Sequence, residues 1–274
     1  MGRSRGFRVI TANVNGIRAA QRRGGLDWLA AAKADAICLQ EVRATRAQLD
    51  EALESSPLSS WHVAHVEAPE KGRAGVAVLT KKRPVEVRDR FRQSAINDQG
   101  RWIEVDLDTS VGPVTVASVY VHSGEADTPK QDAKYAFLEG MDLRLRALLR
   151  RVDTDGVQAL VCGDWNIAHR EVDIKNWKGN LTSAGFLPEE RVYLDRWFAK
   201  SWRDLGREFG GPGPGPYTWW SWRGQAFDND AGWRIDYHAA THGLADRAKN
   251  LVIGRAPSYA ERWSDHAPVT VDFK

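Results

Sequence analysis

The segment QALVCGDWN (158–166) decides how this chain folds: Ala159, Leu160, Val161 and Cys162 form an apolar run that halts abruptly at Gly163, Asp164, Trp165 and Asn166. A run this short and continuous reads as a strand buried on both faces, and its polar end carries an acid and an amide to the edge of a sheet. The first half of the chain repeats the design. FRVITANVNG (7–16) is a strand over Phe7–Val14 that ends among Asn13, Asn15 and Gly16, and AICLQE (36–41) is a buried strand that stops at Gln40 and Glu41.

Around these strands the periodicity alternates. Helical spacing covers Leu26–Ala32, and Thr45 with Gln48 forms a capping box opening a short helix over Leu49 and Leu53. Strand patterns follow at Trp61–Val66, Gly75–Leu79, Trp102–Leu107 and Val114–Val121. Their links are too short for crossover helices, so this portion is expected to be antiparallel. Leu138, Met141, Leu145 and Leu148 place one apolar stripe on a long helix within Lys130–Arg151, and another helix spans Pro188–Lys200. GGPGPGP (210–216) can be neither helix nor central strand and reads as a surface loop. Tyr217–Trp222 and Trp233–Ala239 resume strand character, and Pro268–Phe273 supplies a last strand directly after Ser264, Asp265 and His266. The pattern predicts an α/β fold in one domain over 1–274, with two sheets packed face to face, helices outside, and a loosely duplicated layout.

Composition narrows the class. At 274 residues and 42% hydrophobic the chain can bury a sizeable core, which excludes disorder, and no run approaches the length of a membrane span. Strand-like sequence already begins at Phe7, so a signal peptide is not expected. Cys38 and Cys162 sit inside apolar runs and read as reduced core residues, in keeping with a cytoplasmic protein. A net charge of +3 permits a nucleic-acid partner without announcing one, even with locally basic stretches such as KKRPVEVRDRFR (81–92). Of the 12 tryptophans, those between Trp177 and Trp263 are clustered enough to suggest an aromatic pocket as well as a core.

Polar residues collect where apolar runs stop: Asn13, Asn15, Glu41, Tyr120, Asp164, Asn166, Asp236, Asp265 and His266. Any one of them could be a turn-former; so many separate strand ends converging on one edge point to a site. Carboxylates and amides are hard oxygen ligands suited to Mg²⁺ or Mn²⁺. His238 and His242 are four residues apart but follow a strand-like run, with no Glu to complete a helical zinc motif. There is no Gly-x-Ser-x-Gly elbow, Walker loop or dinucleotide fingerprint. Metal-assisted attack of water on a phosphate ester is the economical reading.

Taken in order, NVNGIR (13–18), LQE (39–41), GVAV (75–78), QGR (99–101), Tyr120, GDWN (163–166), WRIDY (233–237) and SDH (264–266) resemble the exonuclease III family of abasic-site DNA endonucleases across nearly the whole chain. The resemblance implies a four-layer α/β sandwich with two mixed, largely antiparallel sheets. It implies Glu41 as leading metal ligand with Asn13, Asn15 and Asp265 nearby, and Asp164 orienting and deprotonating the attacking water. Asn166 would hold that water or the phosphate, Tyr120 would donate to a phosphate oxygen or the leaving group, and Asp236 would fix His266, which either hydrogen-bonds the phosphate or acts as the base. Trp219, Trp233 and Ile235 would wall a slot for a flipped abasic sugar, and Arg101, Asn180 and Arg223 would contact the duplex. The implied partner is double-stranded DNA with abasic sites or blocked 3′ ends, bound by a monomer, with no membrane involved. Competing readings are another phosphoesterase of this fold and a DNA-binding module without catalysis. One departure stands out: Tyr120 is followed by Val121, His122, Ser123 and Gly124, where the family commonly continues with Val or Phe, Pro, then an amide. Either His122 or Ser123 replaces that DNA contact, or the balance of activities differs.

Overall fold

The computed structural model of the chain describes residues 6–92 and 94–274. In chain order its strands are β1 Phe7–Asn13, β2 Ala36–Gln40, β3 His62–Val66, β4 Val76–Thr80, β5 Glu86–Arg88, β6 Trp102–Thr109, β7 Gly112–Tyr120, β8 Gln158–Asp164, β9 Arg203–Asp204, β10 Asp236–Ala240, β11 Ala248–Ile253 and β12 Val269–Phe273. The larger helices are α1 Ile17–Arg22, α2 Gly25–Ala31, α3 Arg46–Glu54, α4 Pro129–Asp155 and α5 Pro188–Lys200.

Two six-stranded sheets result, ordered β11-β12-β1-β2-β4-β3 and β5-β6-β7-β8-β10-β9. Each contains one parallel pair, β1 with β2 and β7 with β8, among antiparallel neighbours. The strands whose acid and amide ends suggested a loosely duplicated layout, β1, β2 and β8, all belong to these pairs. Between the sheets lies a core that includes Val9, Cys38, Val78, Val105, Val116, Leu160, Cys162 and Val271. Helices α1, α2 and α3 cover the first sheet through Ile17, Leu26, Leu29, Leu49 and Leu53. The stripe Phe137, Leu138, Met141, Leu145 and Leu148 fastens α4 to the second, with Leu194 and Trp197 of α5 beside it. Burial of each such side chain contributes about 1.5–3 kcal/mol, so packing outweighs propensity in setting the layers.

Local signals explain the boundaries. Thr45 and Gln48 form the reciprocal capping box of α3. Thr128 caps α4 and Pro129 occupies its first turn, while Gly156, with φ 70°, ends it in the left-handed conformation. Cys38 and Cys162 are buried free thiols.

Two expectations need correction. Tyr217–Trp222 is not a strand, and the strand expected over Trp233–Ala239 begins only at Asp236. The aromatic composition favours extended backbone, but the backbone N–H groups of Thr218 and Trp219 both donate to the Trp233 carbonyl, and that of Trp220 goes to Asp265. No ladder can propagate from such a pattern. The short β5 and β9, and the partly exposed β11 with its bulge between Ala248 and Asn250, lacked a pattern strong enough to read.

Strand direction positions the site. The parallel pairs end at one rim, as the contact of Asn13 with Asp164 across the sandwich shows. Because β10 and β12 run the other way, their N-terminal ends reach the same rim, bringing Asp236 and the Ser264–His266 segment to it.

Candidate active site

Tyr120, Asp164 and Asp236 are register partners on the adjacent strands β7, β8 and β10. A slip of one residue would turn a side chain to the opposite face, so the ladder itself fixes this row. From the other sheet, Asn13 Nδ2 donates to Glu41 Oε1 and to Asp164 Oδ2, both at 2.9 Å. The orientation of that amide is set by its Oδ1, which accepts the Asn15 backbone N–H at 2.9 Å. Asn15 Nδ2 donates to Asp265 Oδ1 at 2.8 Å, and the Trp219 indole N–H to Asp265 Oδ2 at 3.2 Å. Asn166 donates its backbone N–H to Asp164 Oδ1 at 2.9 Å and its side-chain amide to the Val121 carbonyl at 2.9 Å. His266 Nδ1 lies 2.9 Å from Asp236 Oδ2, and its Nε2 lies 3.7 Å from Asp164 Oδ2. Ser264 ties this turn back to β1, donating to the Asn13 carbonyl at 2.7 Å.

Three of these residues carry backbone strain. Asn15, Glu41 and Asn166 have φ of 46°, 49° and 50°, in the left-handed region that costs an L-residue about 1–3 kcal/mol. The hydrogen bonds just described hold them there, and the strain directs their side chains across the rim instead of along the strand.

The electrostatics follow from crowding acids away from water. Burial pushes the Asp164 carboxyl up to about 7; His266 pulls it back, while Asp236 and Glu41 push it further. Burial alone would lower the His266 imidazolium, but Asp236 and then Asp164 outweigh it and raise the ring to about 10. His266 is therefore a cation at neutral pH, with Nε2 as a donor. The Tyr120 hydroxyl, raised well above its ordinary value by burial and then by Glu41 and Asp164, keeps its proton and is also a donor.

Ligand atoms of Glu41, Asp164 and His266 lie within 4.8 Å of one another. With His266 protonated, the two carboxylates are left to hold a cation, a number that suits Mg²⁺. The fit is supported by the crowding of acids: Asp236 and Glu41 both push the buried Asp164 carboxyl upward, and Asp236 Oδ1 is buried without a hydrogen-bond partner among the described residues. Of the other expected ligands, Asn13 presents its amide N–H to the carboxylates, and Asn15 and Asp265 are bonded to each other.

The expected apolar wall lies next to His266. Trp219 and Trp233 meet edge to face with centroids 6.1 Å apart, and Trp219 lies 6.5 Å from the His266 ring. Ile235 is buried beneath them with Ile174 and Phe186. The Arg101 guanidinium lies 4.6 Å over the Tyr120 ring and donates to the Tyr120 carbonyl at 3.2 Å. Asn180 stands on a 3-10 turn, with its amide on the Asn176 carbonyl at 2.8 Å, and Arg223 is exposed on a loop.

Sequence reasoning missed several contributors. Arg43 forms an ion pair with Glu41 Oε2, and nothing in its local sequence signals this. Thr218 Oγ1 accepts the N–H groups of Ile235 and Asp236 at 3.1 and 3.2 Å, anchoring the start of β10. Trp177, part of the tryptophan cluster noted in the sequence but given no role of its own there, packs on the same apolar cluster as Trp219 and Trp233. Lys134 had a readable signal, since it extends the α4 stripe by one turn before Leu138 and puts a charge on an apolar face.

Residues 10–266 match the endonuclease/exonuclease/phosphatase family. The chain is 32% identical over 264 residues to an exodeoxyribonuclease of Bacillus subtilis, covering 96% of this chain and 98% of that one. It is 28% identical over 266 residues to a DNA-(apurinic or apyrimidinic site) endonuclease of Dictyostelium discoideum, covering 97% and 70%. Its fold matches that of a 3′-5′ exonuclease from Neisseria meningitidis with a TM-score of 0.82 at 26% identity, covering 98% and 100% of the two chains.

Proposed function

The chain belongs to the endonuclease/exonuclease/phosphatase family and is a phosphodiester-hydrolysing nuclease, and on that premise we propose that it repairs DNA by cutting the phosphodiester 5′ to abasic sites. Removal of blocked 3′ ends, by 3′ to 5′ exonuclease and 3′-phosphatase action, uses the same site. The observation that carries this reading is the single rim at which Glu41, Asp164 and His266 meet beside Trp219.

Each residue has a role that its surroundings favour. Glu41, with Asp164 alongside, would hold Mg²⁺ or Mn²⁺, which supplies charge neutralisation at the phosphate or leaving oxygen. Asp164, tied to Asn166 and set between Glu41 and His266, orients the attacking water and takes its proton. Asn166, whose amide N–H groups are engaged by Val121 and Asp164, is left with Oδ1 to accept from and hold the attacking water, which favours the water over the phosphate oxygen. Cationic His266, fixed by Asp236, donates to a phosphate oxygen from Nε2, and Tyr120 donates its hydroxyl proton toward the phosphate or the departing alkoxide. Trp219 and Trp233, over Ile235, exclude a normal nucleotide and admit a sugar without its base. Arg101, Asn180 and Arg223 contact the duplex, a role that predicts binding weakened by salt.

The test is a duplex carrying one abasic analogue, incubated with Mg²⁺ or with chelator. Metal-dependent incision 5′ to the lesion, far faster than cutting of undamaged duplex, is expected. Equal cutting of both duplexes would leave a nonspecific nuclease, and binding without incision would leave a DNA-binding module.

A further inference from the structure

We infer that the buried pair Lys134 and Glu190 is a positioning device for this reaction, fastening the Asn166 turn, the loop after Tyr120 and the back of the tryptophan wall to one another. The inference rests on the reading just given. Lys134 lies on α4 in line with Leu138 and Met141 and is 0% exposed. Its Nζ donates to the Asn166 carbonyl at 2.8 Å and to the Ser123 carbonyl at 3.1 Å, and pairs with Glu190 Oε1 at 2.7 Å. Three acceptors match the three protons of an ammonium.

Glu190, on α5, carries the connection onward. Its Oε2 accepts the backbone N–H of Gly185 at 2.7 Å and of Leu187 at 3.1 Å. Gly185 is packed so closely that an added Cβ would lie 3.0 Å from the Asn166 carbonyl oxygen and 3.1 Å from the Trp233 ring. One ion pair therefore reaches the strained Asn166, the segment where His122 and Ser123 depart from the family pattern, and the glycine behind Trp233.

Chain stability alone does not account for a charge at this place. A methionine would continue the α4 stripe, and apolar replacement of a buried pair is often neutral or stabilising. Burial lowers the Lys134 ammonium's hold on its proton, and Glu190 offsets part of that loss. The lysine directs its bonds to two loop carbonyls at the rim and not to its own helix, and a carbonyl held on a left-handed Asn166 keeps that amide aimed at Asp164.

The experiment compares wild type with K134M/E190Q, which leaves no lone buried charge, with E190Q and with K134R. Three quantities are measured: the melting temperature, the single-turnover rate on the abasic duplex at saturating enzyme with Mg²⁺, and the Kd for that duplex in chelator. The double variant is expected to melt within a few degrees of wild type, to bind DNA within threefold, and to lose at least tenfold in single-turnover rate, with K134R retaining at least half the rate. A folded double variant with a rate within threefold of wild type would overturn the inference, as would a loss seen only in Kd. Should the double variant fail to fold, E190Q decides: a threefold or greater fall in rate at unchanged Kd supports the device, and an unchanged rate sinks it. A wild-type protein that does not incise the abasic duplex would instead refute the activity itself.

Discussion

Tyr120, Asp164 and Asp236 stand in a row across three hydrogen-bonded strands, whereas Trp219 and Trp233 reach the same rim on backbone that joins no ladder. The acids inherit their spacing from the sheet. The tryptophans depend on isolated bridges from Trp219 to Trp233 and to His266, and from Trp233 to Ile174. Proton transfer and charge stabilisation demand placement within a fraction of an ångström, which a strand register supplies. Recognition of a bulky lesion demands large rings at an angle to the sheet, and an irregular segment is free to present them. The difference predicts that mutations in the row act on rate with little effect on fold, and that mutations in the wall act on both.

The largest effect is expected at the row. Asp164→Asn preserves size and ladder hydrogen bonds but removes the proton acceptor, so turnover should fall by about 10²–10⁴-fold, the usual contribution of a general base. DNA affinity should hold or tighten, because one negative charge leaves a buried cluster; single-turnover kinetics and binding in chelator measure the two separately. Preserved turnover would remove Asp164 from its role. Glu41→Ala comes next. It deletes a carboxylate that pairs with Arg43 and accepts from Asn13, and should raise the Mn²⁺ midpoint roughly tenfold, read by metal titration in the absence of DNA. A midpoint that stays put would exclude Glu41 from the metal site. At the wall, Trp233→Ala removes the edge-to-face contact with Trp219 and the packing on Gly185. Preference for abasic over intact duplex should fall about tenfold, near 1.4 kcal/mol, together with a lower melting temperature. Lost preference without lost stability would mean that the wall is as well supported as the row.

The same contrast explains what could be read in the sequence. Runs such as Ala159–Cys162 and Ala36–Leu39 are apolar because they lie between layers, and they stop at acids because the rim is wet; both facts are local and visible. The α4 stripe was visible for the same reason, its period matching one buried face. Residues 217–235 misled because aromatic side chains favour strands, while the path there is set by where single N–H groups find acceptors, notably Thr218 and Trp219 sharing the Trp233 carbonyl. Among the expected site residues, hydrogen bonds or ring contacts connect Asn13, Asn15, Glu41, Asp164, Asn166, Asp236, Asp265, His266, Trp219 and Trp233. Asn180 and Arg223 lie on surface turns whose reach towards a duplex is set by the partner, which no pattern in one chain encodes. Arg43 was illegible because its pairing with Glu41 depends on two left-handed residues flanking Val42.

A smaller effect sharpens the comparison within the strand layer. His238 lies on β10, two residues beyond Asp236, as the register partner of Cys162 in the inter-sheet core. Both His238 and His266 are buried, yet burial alone governs His238 and lowers it to about 3, whereas carboxylates raise His266 to about 10. Neither ring nitrogen of His238 has a hydrogen-bond partner among the described residues. Below its ordinary value of 6.5 the unfolded chain takes up a proton that the folded chain refuses, so this residue makes stability fall as pH drops from 6.5 toward about 3. His238→Leu removes that penalty together with two unpaired buried nitrogens. The variant should be at least as stable as wild type at pH 7.5, and its advantage should widen by about 2 kcal/mol on going to pH 5, since each pH unit is worth up to about 1.4 kcal/mol. Taking the difference between the two proteins in urea at each pH cancels the other titrating groups. A constant gap would mean that His238 finds a partner for its proton inside the fold, and that the interior strand positions are less sharply divided from the reactive rim than their two histidines indicate.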